Sequence, residues 1–175
     1  MEQPTHRSRE LLSPPSRAWM IVTLLAALAL DLIPRPWMAV WGPEATLLTL
    51  TFWALRAPAW TGFGLTLLVS IALDVGRGAV LGQTALAAIW VVWGAQKWRS
   101  RVLWFGPLGQ AAHLVWLWAG ALALQVAVRW LVVGDGIVAY GYLLAPLWMA
   151  LLWPLWYAVL LWPQRWRAVM PKHRV

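Results

Sequence analysis

Leu73-Asp74-Val75-Gly76-Arg77-Gly78-Ala79-Val80-Leu81-Gly82 lies between two long apolar runs. It brings a carboxylate, a guanidinium and three glycines into a chain with little other charge. Whether it is an active site or a turn decides how the chain folds. The flanking runs, residues 59–73 and 80–95, carry no charged side chain and read as apolar helices. The stretch then reads as the turn joining them, where Asp74 and Arg77, three residues apart, pair across one helical turn in a partly hydrated setting. Gly78 and Gly82 form a GxxxG, which suits either a close helix contact or a turn followed by a helix start.

Composition sets the solvent. Of the 175 residues, 62% are hydrophobic and 11% charged, against roughly 45–50% and about 25% in an average soluble domain. A chain of this size has too little interior to hide so much apolar surface, so lipid is the expected solvent. The chain has no Cys, which removes disulfides, thiol nucleophiles and thiolate metal sites. Its net charge of +8 does not point to nucleic acid, because the cations lie in tails and short loops and form no patch. Many of the 17 Trp fall near run ends, including Trp19, Trp60, Trp98, Trp104 and Trp162, as expected at membrane interfaces. Trp90, Trp93, Trp116, Trp118 and Trp153 lie inside runs and read as packing residues.

Working outward, residues 1–17 form a polar, proline-broken basic tail. A first span at 18–33 ends at Pro34 and Pro36, and Asp31 lies near its far end. Residues 34–44 form a proline-rich re-entrant or interfacial link. A second span at 45–55 is short, so it must borrow flanking residues, tilt, or reach only part way. A third covers 59–73 and a fourth 80–95. The loop Gln96-Lys97-Trp98-Arg99-Ser100-Arg101 follows. The fifth span starts at Gly106-Pro107 and ends near Val133, with Arg129 close enough to snorkel. The sixth covers 140–161, with kinks at Pro146 and Pro154. Residues 18–162 thus form a six-helix transmembrane domain between basic tails at 1–17 and 163–175. With both termini in the cytoplasm, all but Arg35, Arg77 and Arg129 of the 14 cations lie inside, as the positive-inside rule requires. No internal repeat stands out.

The candidate chemistry is sparse. Asp31, Glu44 and Asp74 are the acids near the bilayer, either as end-of-helix caps or as a polar site shared by the first three spans. His113 lies in the fifth span with no partner at metal-ligand spacing and reads as a packed or hydrogen-bonded helix residue. No HExxH, GxSxG or P-loop pattern occurs. No enzyme activity, cofactor or metal site is expected.

Several motifs occur in order. Leu32-Ile33-Pro34-Arg35-Pro36 is followed by Pro43, by Phe52-Trp53-Ala54-Leu55-Arg56-Ala57-Pro58, and by Gly62. Leu73-Asp74, with Gly78, Leu81 and Gly82, matches a Leu-Asp-x-x-x-Gly-x-x-Leu-Gly pattern, and Leu152-Trp153-Pro154-Leu155 precedes the basic end. Over roughly residues 24–170 this ordered set resembles the MreD family of bacterial rod shape-determining membrane proteins. Arg77 departs from it by making the signature loop more basic. The resemblance implies an all-α polytopic fold in the bacterial inner membrane, similar to the substrate-binding component of energy-coupling-factor transporters. It implies a non-enzymatic scaffold for lateral peptidoglycan synthesis, partnered by a single-span MreC-like protein within a complex including MreB, RodA and a class B penicillin-binding protein. Asp31, Pro34, Pro36, Trp53, Pro58, Gly62, Asp74, Arg77, Gly78, Leu81, Gly82 and Pro154 are the candidate structural or partner-binding residues. Two other readings stand beside it. One is a small-molecule transport subunit with a pocket near Asp31, Glu44, Asp74 and Arg77. The other is an embedded enzyme acting on lipid-linked wall precursors.

Overall fold

The structure is a computed structural model that describes residues 16–34, 43–134 and 143–169, with side chains to 164. Seven helices and no strand occur among the described residues: α1 (Arg17–Leu32), α2 (Ala45–Arg56), α3 (Phe63–Arg77), α4 (Gln83–Lys97), α5 (Arg99–Val102), α6 (Pro107–Val133) and α7 (Ala145–Val169). Their ends follow local chemistry. Ser16 caps α1 by accepting from the Trp19 backbone N–H at 3.1 Å. Pro34 forces the preceding Ile33 into extended backbone and ends that helix. Pro107 starts α6, where its missing N–H costs no bond. Gly78 and Gly134 close α3 and α6 in the left-handed region.

The spans expected from the sequence fall on α1, α2, α3, α4, α6 and α7, with shifted bounds. The third helix starts at Phe63 and runs through Asp74 to Arg77, so the acid lies within it. The loop after Lys97 contains the short helix α5. Pro146 is the second residue of α7, while Pro154 and Pro163 lie inside it. Two helices are long and apolar enough to cross a membrane, α6 and the Ala145–Gln164 part of α7. Helices α1–α4, at 16, 12, 15 and 15 residues, are shorter than the ~20 that a straight crossing takes.

The short helix α2 is the axis of the molecule. Every residue from Ala45 to Leu55 is buried, with α1, α4 and α7 packed around it. It carries three threonines, and two of their hydroxyls each make two bonds, while the buried Thr46 hydroxyl makes none. Thr49 and Thr51 donate to the carbonyls of Ala45 and Leu47, one turn back, at 2.8 and 2.6 Å. That leaves each oxygen a lone pair, which accepts the indole N–H of Trp156 and Trp118, both at 3.1 Å. Trp53 of α2 donates outward to Thr23 of α1 at 3.0 Å. Indole-to-hydroxyl bonds therefore tie α2 to α1, α6 and α7, and each of these indole N–H groups has its acceptor.

Helices α4 and α6 pack by mutual insertion. The Trp90 ring fills the space where Gly120 has no side chain, and its N–H donates to the Leu117 carbonyl at 3.2 Å. In return, the Leu117 side chain fills the space over Gly94. Of the tryptophans read as packing residues, Trp118 and Trp153 are buried, whereas Trp116 is 76% exposed and Trp90 and Trp93 are half-exposed. Large apolar side chains also point outward from α1 (Ile21, Val22, Leu25), α3 (Leu67, Leu68, Ile71) and α7 (Leu147, Leu151, Leu155).

Candidate functional site: a carboxylate–guanidinium seat at one end of the bundle

The acids near the ends of α1 and α3 do the same job. Asp31 reaches over the start of α2, where its Oδ1 accepts from the Ala45 N–H at 3.1 Å and its Oδ2 from the Thr46 N–H at 2.7 Å. Asp74 reaches over the start of α4, accepting from the Gly82 N–H at 2.9 Å and the Thr84 N–H at 3.1 Å. The first backbone N–H groups of a helix have no partner within it, and their partial positive charge favours an anion. Each carboxylate thus joins the end of one helix to the start of the next. Both are buried. The repeat is visible in hindsight, as Ala29-Leu30-Asp31 and Ala72-Leu73-Asp74, with Thr46 and Thr84 as the second residues of the helices they cap. The shared pattern is only four residues, divided between two helices, too short and too scattered to register as a repeat in sequence.

This overturns the expected Asp74–Arg77 pair and the partly hydrated setting for Asp74. Arg77 instead crosses to the other hairpin. Its Nη2 lies 3.6 Å from Asp31 Oδ1 and its Nη1 3.5 Å from Glu44 Oε1, while its Nε donates to the Asp31 carbonyl at 3.3 Å. Glu44 also accepts from the Gln125 amide of α6, with both oxygens at 3.2 Å. One guanidinium therefore links the ends of α1, α2 and α3, and Glu44 extends the link to α6. Glu44 precedes α2, and burial pushes its carboxyl above the ordinary carboxylate range while Arg77 pulls the other way.

The turn between α3 and α4 is built from glycine. Gly78 has φ 61° and Gly82 φ 89°, so the GxxxG spacing marks a turn and presents no helix-packing face. Gly76 lies within α3, and the Leu32 side chain of α1 occupies the space beside it. Leu81 is exposed at the crest of the turn.

Asp31, Pro34, Asp74, Arg77, Gly78, Leu81 and Gly82 gather at this end of the bundle. The other predicted residues do not join them. Trp53 is buried on α2, Pro58 follows the far end of that helix, Gly62 is the N-cap of α3, and Pro154 lies within α7. Pro36 lies outside the described residues. Glu44, expected with Asp31 and Asp74 as a helix-end cap or part of a polar site shared by the first three spans, meets Asp31 through Arg77, whereas nothing local marks Gln125, whose partner lies 81 positions away.

Chemically the arrangement is a set of caps and one ion-pair bridge. His113 stacks on Phe105 with ring centres 4.6 Å apart, and its Nδ1 lies 2.8 Å from the Gly109 carbonyl. Among the described residues no three His, Cys, Asp or Glu side chains converge as a metal-ligand set. A cleft lined by Glu44, Leu47, Trp118, Gln125 and Met149 leaves room for about one water molecule. Compared with family models, with curated proteins and with solved structures, the chain matches none.

Proposed function

We propose that the chain is a six-span inner-membrane scaffold of the MreD type, binding a single-span MreC-like partner in the complex that builds the lateral cell wall. Helices α1, α2, α3, α4, α6 and α7 are the spans in this reading, both termini are cytoplasmic, and α5 is an interfacial corner. In this reading the fold is similar to that of the substrate-binding component of energy-coupling-factor transporters. Outward apolar faces on α1, α3 and α7 support a lipid setting for helices too short to be recognised by length. Flanking apolar residues such as Ile33, Val80 and Leu81 lengthen them.

The observation that carries the family reading is the geometry of its signature. In Leu73-Asp74…Gly78…Leu81-Gly82 the acid caps the next helix and two glycines take positive φ. A pattern whose polar and glycine members each have a structural task suits a scaffold. It leaves no carboxylate spare for acid–base chemistry at the turn. The transport-subunit reading has less support, because the cleft beside Glu44 is water-sized.

Co-purification in mild detergent with an MreC-like protein tests the function. Failure to associate under gentle extraction counts against it. The chain has no native Cys, so single cysteines introduced into each turn and labelled from either side of the membrane test the six spans. Labelling of Gly62→Cys and Gly78→Cys from the same side overturns that topology.

A further inference from the structure

The cations at the α5 end of the bundle are not equivalent. The Arg17 guanidinium lies 5.1 Å from the centre of the Trp60 ring. Arg56 donates to the Tyr157 hydroxyl. The Lys97 ammonium stands 4.7 Å over the Trp93 ring, and Arg99 Nε donates to the Leu55 carbonyl at 2.7 Å. Among the described side chains at this end, the Arg101 guanidinium alone has no hydrogen bond, ion pair or ring partner. The sequence offers it no nearby acid either, since none occurs between Asp74 and Asp135.

Beside Arg101 the chain exposes its aromatics. Trp104 is 91% exposed, and Phe105 and Leu108 are exposed with it. Ser100, Arg101, Trp104 and Phe105 line a shallow, open surface groove. One wall is already set, because the Phe105 ring is stacked on His113, itself held by the Gly109 carbonyl. An uncommitted guanidinium, a hydroxyl and two exposed rings, side by side where the chain reverses, match a phosphate joined to an apolar tail.

We propose that the α5–α6 corner binds the headgroup phosphate of an anionic phospholipid. Arg101 and Ser100 meet the phosphate, while Trp104 and Phe105 meet the glycerol and the first methylenes. A planar guanidinium matches phosphate oxygens two at a time, and indole rings settle at headgroup depth. A zwitterionic headgroup carries its own ammonium, which Arg101 repels, so the site prefers anionic lipid. This rests on the membrane reading above.

The test uses the full chain in detergent with three probes: short-chain phosphatidylglycerol, short-chain phosphatidylcholine and inorganic phosphate. Bound lipid is counted by native mass spectrometry, and affinity is read from thermal-shift titration. Phosphatidylglycerol is expected to be retained over phosphatidylcholine. Arg101→Gln should weaken its binding about fivefold, the effect of one basic side chain at an anionic surface. Arg129→Gln, near the opposite end of α6, should leave it unchanged. Equal losses from the two variants, or equal binding of the two lipids, overturn the proposal. Displacement of phosphatidylglycerol by inorganic phosphate at matching concentration also overturns it, in favour of a free-anion site. A chain that is soluble without detergent sinks the membrane reading itself, whereas a detergent-dependent chain indifferent to Arg101→Gln sinks only this site.

Discussion

Asp74 and Gly82 face each other across the turn between α3 and α4, with the carboxylate accepting the glycine N–H at 2.9 Å. The same carboxylate also takes the Thr84 N–H. One buried side chain thus ties the last turn of α3 to the start of α4, and Asp31 does the same for α1 and α2.

Asp74→Ala should remove two charge-assisted bonds and leave buried donors at the start of α4, a loss of roughly 2–3 kcal/mol. Asp31→Ala should cost at least as much, because it loses an equivalent pair of bonds and the ion pair with Arg77 as well. Unfolding of each variant in detergent, followed by circular dichroism, measures both. A neutral Asp74→Ala would mean that water replaces the carboxylate and that the cap is incidental.

Gly82→Leu places a side chain at φ 89° and should cost about 1–2 kcal/mol from backbone strain alone. Gly78, at φ 61°, has open space around it, so Gly78→Asn should be milder than Gly78→Val, since asparagine tolerates that region. Equal loss from the two Gly78 variants would show that conformation is not what the position selects.

The α4–α6 contact predicts a contrast between glycines. Gly94→Leu and Gly120→Leu drive a side chain into Leu117 and Trp90 and should each lose about 1–3 kcal/mol by overpacking. Gly64 has nothing nearby, and Gly64→Ala on α3 should be neutral or slightly stabilising. Thermal unfolding of the three variants side by side reads the difference directly.

The indole–hydroxyl bond between Trp118 and Thr51 predicts coupling. A cycle of Trp118→Phe, Thr51→Val and the double variant should give an interaction energy of about 0.6 kcal/mol, as for other bonds between membrane helices. Additive losses would mean that the pair packs but does not bond.

Much of the architecture was legible because the chain punctuates itself. Pro34, Pro58, Gly78, Pro107 and Gly134 mark helix limits through backbone geometry, which is local and so readable in sequence. Helix α5 was not legible, since four residues carry no period. The site was half legible. Asp31, Asp74 and Arg77 stood out as rare charges, yet their partners could not be assigned. The i,i+3 spacing suggested Asp74–Arg77, but the lone pairs of Asp74 go to backbone N–H groups and Arg77 turns to Asp31 and Glu44, 46 and 33 positions away. Trp116 misled in the other direction. Its place inside an apolar run says nothing about which side of the helix it occupies, and it lies on the outward side.

The burial of α2 bears on how variants of this protein are to be interpreted. No residue from Ala45 to Leu55 reaches the outside, so no partner, lipid or wall precursor can touch that helix without dismantling the bundle. A defect from any substitution there, including at Trp53, reports on assembly of the chain itself. Genetic tests of the proposed partner binding should therefore discard α2 and weigh the outward positions of α1, α3 and α7.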